Sequence, residues 1–301
     1  MPRLRIFHRT TYTYSTPMQF GEHQLMMRPR DSHDLRLISA TLSISPTPKL
    51  RWLHDPFGNS IAIAEFSEPA TLLNFESEIV IERYPGDETS FEIEPYARTL
   101  PFNYLYDELP DLAPAIARRD SDPYGVVDAW ALGFLVPGAQ NDTLDLLIRM
   151  TQAIKRDFVY AAREEVGVQT ATETLNLGSG TCRDYALLMM EAVRSLGMAA
   201  HFVTGYLYDP ALDTGDMGNL ANGGQATQGA GATHAWCEVY LPGLGWVQFD
   251  PTNGSYGGTD LIRIGVARTP EQAQPLSGTL LGDPSTALGM EVEVTVTRET
   301  A

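Results

Sequence analysis

The spacing of apolar and polar residues divides the chain in two. From Leu4 to about Ile93, short β-rich runs alternate with turn residues and no helical period of useful length intervenes. Residues 4–14, 35–44, 61–66, 72–81 and 89–93 carry the β-branched and aromatic side chains of strands. Between them, Ser45-Pro46-Thr47-Pro48, Asp55-Pro56-Phe57-Gly58-Asn59 and Pro85-Gly86-Asp87 are turn sequences. Strands at this spacing predict an N-terminal β-sandwich over residues 1–95. Its histidines, His8, His23, His33 and His54, are scattered among polar residues, which predicts surface or turn positions.

Residues 96–140 read as a linker and first helices; the four prolines and the aromatics Tyr96, Phe102, Tyr104 and Tyr106 between 94 and 114 suit a linker that packs as it goes. The period then becomes helical. Asn141 or Asp142 can cap a helix carrying Leu144, Leu147, Ile148, Thr151, Ile154 and Phe158 on one face. A second helix starts at Cys182, with Ala186, Met189, Val193 and Leu196 continuing its stripe and Gly197 stopping it. Strand patterns follow at 199–207, 233–240 and 246–250, and an alternating tail at 290–296 is expected to complete the sheet. Residues 141–301 thus form the second, mixed region, and the whole chain is α+β.

Composition adds limits. The net charge of −17, from 38 acidic against 21 basic residues, argues against nucleic acid or an anionic membrane as partner. Two cysteines are too few for a disulfide framework, and the N-terminus lacks a signal-peptide core, so a reducing, cytoplasmic setting is expected. The stretch 209–232 is rich in Gly, Asn and Ala, uncharged after Asp216, and ends just before His234. It reads as a substrate-side lid or a disordered insertion.

The chemistry centres on Gly178-Ser179-Gly180-Thr181-Cys182-Arg183-Asp184, a glycine-rich turn that delivers a thiol to a helix start. Unpaired N–H groups and the positive end of the helix dipole favour a thiolate there, and Arg183 adds positive charge. Taken alone, Cys182 reads equally well as a small core residue. Thr233-His234-Ala235-Trp236-Cys237-Glu238-Val239-Tyr240, the turn at 241–245 and Trp246-Val247-Gln248-Phe249-Asp250 form a hairpin. With Tyr240 opposite Leu244, His234 faces Asp250 and both lie on one face; a two-residue Pro-Gly turn would separate them. Cys182, His234 and Asp250 are then nucleophile, base and orienter of a triad, with the helix-start N–H groups available to an oxyanion.

The run from Gly180 to Ala186, His234-Ala235-Trp236, and Trp246 to Asp250-Pro251-Thr252-Asn253 resemble the core of the transglutaminase-like superfamily. Tyr12-Thr13-Tyr14, Arg28-Pro29-Arg30 and Asp55-Pro56-Phe57-Gly58-Asn59 resemble the β-domain that precedes this core in bacterial members. The resemblance implies a papain-like core whose nucleophile helix packs on an antiparallel sheet, and a reaction through a Cys182 thioester. It leaves the acceptor open, because members include peptidases, amidases, acyltransferases and proteins without activity. The run from Ile262 to Pro270 departs from the Gly-Arg-Asp-like sequence expected after the Asp-Pro-Thr-Asn motif.

These residues admit other readings. Cys182, Cys237, His201 and His234 suit zinc by type, but neither paired-cysteine nor paired-histidine spacing appears, so no metal or cofactor is expected. Cys237 faces away from His234 and reads as core rather than as a disulfide partner of Cys182. Asp184 is expected to serve the positive end of its helix, Trp236 and Trp246 to wall the triad's face or pack across strands, and Tyr160 or Tyr185 to be a possible oxyanion donor. The expected function is a cysteine-dependent hydrolase or acyltransferase acting on amide or isopeptide bonds of peptides or proteins. A non-catalytic binding or scaffold protein of the same fold is the alternative.

Overall fold

The computed structural model describes residues 3–84, 92–161, 167–212, 227–258 and 260–299. One strand organises the first region. β1 (Arg3–Arg28) is far longer than the run of 4–14 read from the sequence, and its two halves serve different layers. Its first half pairs antiparallel with β5 (Ala70–Arg83), which pairs in turn with β2 (Leu35–Ser45). Its second half pairs with β4 (Ser60–Glu65), whose other edge holds β3 (Lys49–His54), a strand the turn-rich sequence had hidden. The register breaks between Thr13 and Met18, where the strand changes layer. Tyr14, Met18, Phe20, Leu25, Leu73 and Phe75 fill the space between the layers. The expected sandwich is present. Of the run 89–93, residues 89–91 lie outside the described residues, and 92–93 are not a strand.

The helices of the second region are α1 (Leu109–Ile116), α2 (Val126–Leu132), α3 (Thr143–Asp157), α4 (Ala171–Leu177) and α5 (Cys182–Ser195). Asp142 caps α3 as its position suggested, its side chain accepting from the Asp145 N–H at 2.8 Å. α5 is buried on nearly every side, not on a stripe alone. Two of its three buried charges are held in a network: Glu191 accepts from Arg118 Nε at 2.9 Å and from Arg194 Nη1 at 3.2 Å. Arg194 also donates to the carbonyls of Ala115, Ala200 and Arg268 at 2.8–2.9 Å.

These helices cover one face of a five-stranded antiparallel sheet. In spatial order it runs β9 (Ser255–Tyr256), β8 (Gly245–Asp250), β7 (Thr233–Leu241), β6 (Ala200–Leu207) and β10 (Leu261–Ala267). Ala235, Cys237, Val239 and Phe249 pack under α5 in the main core. The opposite face meets the β-sandwich, with Tyr206, Ile262 and Ile264 against Leu4, Ile6, Ile79 and Ile81. The result is three layers: helices, core sheet, sandwich.

The tail corrects an expectation. β11 (Leu276–Leu281) and β12 (Ala287–Arg298) do not complete the core sheet; both pair with β1. Val294 and Val296 join the apolar seam between the two regions, which is the burial that draws the tail back. Two histidines also differ from their reading. His8 and His23 are buried, and His8 Nδ1 lies 2.9 Å from the Tyr206 hydroxyl across that seam.

Candidate active site

The thiol is placed by its neighbours in sequence. α4 ends at Gly178, whose φ of +61° is the left-handed turn that glycine allows without strain. Ser179 and Gly180 then pair in parallel with Val159 and Tyr160, which sets Tyr160 beside the start of α5. Asp184 fixes that start: its Oδ2 accepts from the N–H and the hydroxyl of Thr181, both at 2.8 Å, and its Oδ1 from the Gln169 N–H at 2.7 Å. This is the capping role its position indicated. Cys182 follows as the first residue of α5, 7% exposed, at the edge of a cavity.

His234 and Asp250 come from the hairpin, with a corrected register. Tyr240 pairs with Trp246 rather than Leu244, so Glu238 faces Gln248 and His234 is not directly opposite Asp250. The loop still has an odd length, which keeps both side chains on one face. His234 Nε2 lies 2.8 Å from Asp250 Oδ2, and both residues are 1% exposed. Asp250 is itself held, accepting from Asn253 Nδ2 at 2.7 Å and from the Thr252 N–H at 3.0 Å.

The second ring nitrogen, Nδ1, is buried and makes no hydrogen bond among the described residues, and besides Asp250 the group that acts electrostatically on the ring is the Cys182 thiol. Burial pushes that thiol up, but the imidazole, the Ala235 N–H and Arg183 outweigh burial and bring it below the ordinary thiol value. For His234, burial disfavours the charged ring, yet Asp250 and the thiol outweigh this and raise its pKa to about 10. Asp250 is held below the usual carboxylate range, its burial offset by His234, Asn253 and Thr252. The three shifts run in the direction of a thiolate, an imidazolium and a carboxylate. Cys237 is the contrast, fully buried in the core and pushed well up by that burial.

The cavity at Cys182 is about 350 Å³ and is lined by Tyr160, Val168, Arg183, Phe202, Thr204, His234, Pro270, Glu271, Pro275 and Met290, among others. The departing run 262–270 ends in this wall, at Pro270. The Tyr160 hydroxyl interacts with both the Cys182 main-chain N–H and its sulfur, and its pKa is pushed up to about 12 by burial and by the thiol, so it keeps its proton. Tyr185 lies behind it, its ring edge-on to Phe158 and Tyr160. Trp236 flanks the His234 ring at 6.0 Å between centroids. Trp246 does not wall the site: it stacks on His201 at 3.9 Å and lines a different cavity of about 740 Å³ between the sandwich and the outer sheet face. That larger space is lined by none of Cys182, His234 and Asp250.

The four residues of zinc-ligand type, Cys182, Cys237, His201 and His234, do not converge, since His201 Nδ1 is bonded to Glu238 at 3.2 Å and Cys237 faces the helices. Of the stretch 209–232, residues 213–226 lie outside the described residues. Its returning end is anchored: Gln228 exchanges hydrogen bonds of 3.1 Å with the Asn253 side chain, and the Thr227 N–H donates to Asp209. Gly229 sits against the imidazole so closely that a Cβ there would fall 2.4 Å from Nδ1. Asn253, Gly229 and Met290 were missed by sequence reasoning; only Asn253, three residues after a candidate aspartate, carried a signal.

Fold and site together have the thiol, imidazole and carboxylate arrangement of a cysteine-dependent enzyme, set on an α+β core behind a β-sandwich. Comparison with known proteins gives the family. Residues 4–82 match the bacterial transglutaminase-like N-terminal region and residues 134–251 the transglutaminase-like superfamily, and the chain belongs to that superfamily. An uncharacterized protein of Mycobacterium tuberculosis is 28% identical over 289 residues, covering 92% of this chain and 87% of its own. One of Mycobacterium leprae is 25% identical over 301 residues, covering 98% and 99%. A solved structure from Cytophaga hutchinsonii, described as a candidate cysteine protease, aligns with a TM-score of 0.69 over 98% of this chain and 90% of that one at 17% identity. What this last likeness shows is a shared fold.

Proposed function

We propose that this protein opens an amide or isopeptide bond of a peptide or protein substrate through a thioester on Cys182, with His234 as base and Asp250 as its orienter. The observation that carries the reading is the buried 2.8 Å contact of Asp250 with Nε2, which leaves Nδ1 for the thiol. The thiol proton passes to Nδ1, and the sulfur attacks the carbonyl carbon as the C=O electron pair moves onto oxygen. The Cys182 N–H and the Tyr160 hydroxyl are the donors for that oxyanion. Its collapse breaks the C–N bond, and the amine leaves with the proton held by His234. Water or an amine then gives a proton to His234, attacks the thioester and expels the thiolate.

Hydrolysis and transfer share every step up to the thioester. The cavity walls and the segment over His234 decide which acceptor arrives. Both thiols are free, which suits a reducing, cytoplasmic setting.

Iodoacetamide labelling near neutral pH tests the reading. Cys182 is expected to react far faster than Cys237; equal and slow labelling of both would overturn it. Products from a peptide library, weighed by mass spectrometry with and without a primary amine, then separate cleavage or deamidation from cross-linking.

A further inference from the structure

The strand β12 changes surroundings along its length. Val294 and Val296 are buried in the seam between the two regions, at 4% and 7% exposure. The same face then runs on through Val292, 47% exposed, to Met290, 59% exposed. Met290 lines the cavity that holds Cys182 and His234. A strand of the sandwich therefore supplies one wall of the candidate active site, and it does so with uncovered apolar side chains. Among the described residues β12 pairs only with β1, so its other edge offers main-chain donors and acceptors.

We propose that Val292 and Met290 form the binding track for the acyl donor, an extended peptide segment with apolar side chains leading into the thiol. This rests on the catalytic reading above. Three features point to such an occupant. The track is continuous with the cavity at Cys182 through Met290. Its two side chains are two residues apart on a strand, about 7 Å, which matches alternate side chains of an extended peptide. The cavity beyond continues the apolar lining with Val168, Phe202 and Pro275. A peptide laid along an open strand edge gains main-chain hydrogen bonds along with side-chain burial.

The test compares two probes that alkylate Cys182. The thiolate sulfur bonds to the CH2 carbon of iodoacetamide and expels iodide, which needs no track; it expels chloride from a peptidyl chloromethyl ketone in the same way, but that probe must be positioned. With an apolar tetrapeptide ketone, the ratio of its rate to the iodoacetamide rate is expected to fall about tenfold or more in Met290→Glu, as loss of one buried apolar contact implies. Leu281→Glu, at an equally exposed position (59%) on a strand of the other layer, leaves the ratio unchanged. An unchanged ratio in Met290→Glu overturns the proposal. So does a dimer that Met290→Glu dissociates without moving the ratio, since the track would then serve a second copy of the chain. If neither probe labels Cys182, the catalytic reading fails instead. The track is then judged separately, by fluorescence anisotropy of the same peptide without its ketone on Cys182→Ala, with and without Met290→Glu; equal binding overturns it.

Discussion

His234 and Asp250 meet at 2.8 Å although they are diagonal, not opposite, in their hairpin. Continued by one residue, the register puts Trp236 across from Asp250, so the imidazole reaches back along the strand to its carboxylate. A diagonal pair lies within reach of a long or aromatic side chain but is less constrained than a direct one. The constraint comes from Asn253 and the Thr252 N–H, which hold the carboxylate in place. If Asp250 acts through charge and orientation, Asp250→Asn keeps the shape and loses both. Turnover of any substrate found is expected to fall roughly 10³-fold to 10⁴-fold with the fold intact by circular dichroism.

The thiol's acidity is the second consequence. In the wild-type protein the Cys182 pKa is below its ordinary value because His234, the Ala235 N–H and Arg183 together outweigh burial. In His234→Ala burial remains and the main opposing group is gone. The pH at which iodoacetamide labelling of Cys182 reaches half its plateau is expected to move above the ordinary thiol value of about 8.5. A midpoint that stays put would show that the helix start and Arg183 are sufficient.

How far the chain disclosed this arrangement follows from the range of each interaction. The candidate grouping of Cys182, His234 and Asp250 was legible because each sits on an element with its own local signal: a glycine turn and stripe for Cys182, and alternation with a turn for His234 and Asp250. The register slipped because Tyr240 opposite Leu244 and Tyr240 opposite Trp246 give the same alternation; only three-dimensional packing separates them. β12 was recognisable as a strand but not as a partner of β1, since a pairing across nearly the whole chain leaves no mark in local periodicity. His8 was misread for a similar reason. Its polar neighbours in sequence face outward, while its own side chain faces a seam made by Tyr206.

Gly229 gives a prediction that depends on close approach. Its φ is +92°, and a Cβ would lie 2.4 Å from His234 Nδ1, the atom to which the proposed mechanism passes the thiol proton. Gly229→Ala must therefore displace either the anchored segment or the ring. Its backbone conformation alone costs about 1 kcal/mol or more. A shift of the ring by about 1 Å lowers the catalytic rate on the order of 10²-fold, a loss much larger than the change in stability explains. Parallel measurement of the rate and of the urea midpoint separates the two effects.

The buried charges of α5 predict a purely structural effect. Glu191 is fully buried and accepts from Arg118, from Arg194 and from the N–H groups of Arg119 and Asp120. Glu191→Ala leaves Arg194, 3% exposed, without its carboxylate. Breaking a buried pair from one side costs about 3 kcal/mol or more, which urea denaturation would register. A loss under about 1 kcal/mol would show that the three carbonyls around Arg194 satisfy it alone.

The seam between the two regions carries a pH dependence of its own through His8. Burial lowers its pKa from 6.5 to about 4, and its ring nitrogens meet the Tyr206 and Thr10 hydroxyls. Above pH 6.5 the ring is neutral in both folded and unfolded chains and contributes no slope. Between pH 6.5 and about 4 the unfolded chain takes up a proton that the folded one refuses, so stability falls as pH falls. Below about pH 4 the folded protein is protonated too, and the loss levels off at roughly 3 kcal/mol. Asp250, whose pKa is lowered, also loses stabilisation on acidification, but below this window and equally in a variant that keeps it. His8→Gln removes the titrating ring from the seam. The difference between wild-type and variant urea stabilities is therefore expected to change across pH 6.5 to 4 and to be flat above it; a flat difference throughout would place a charged, solvated His8 in the folded protein.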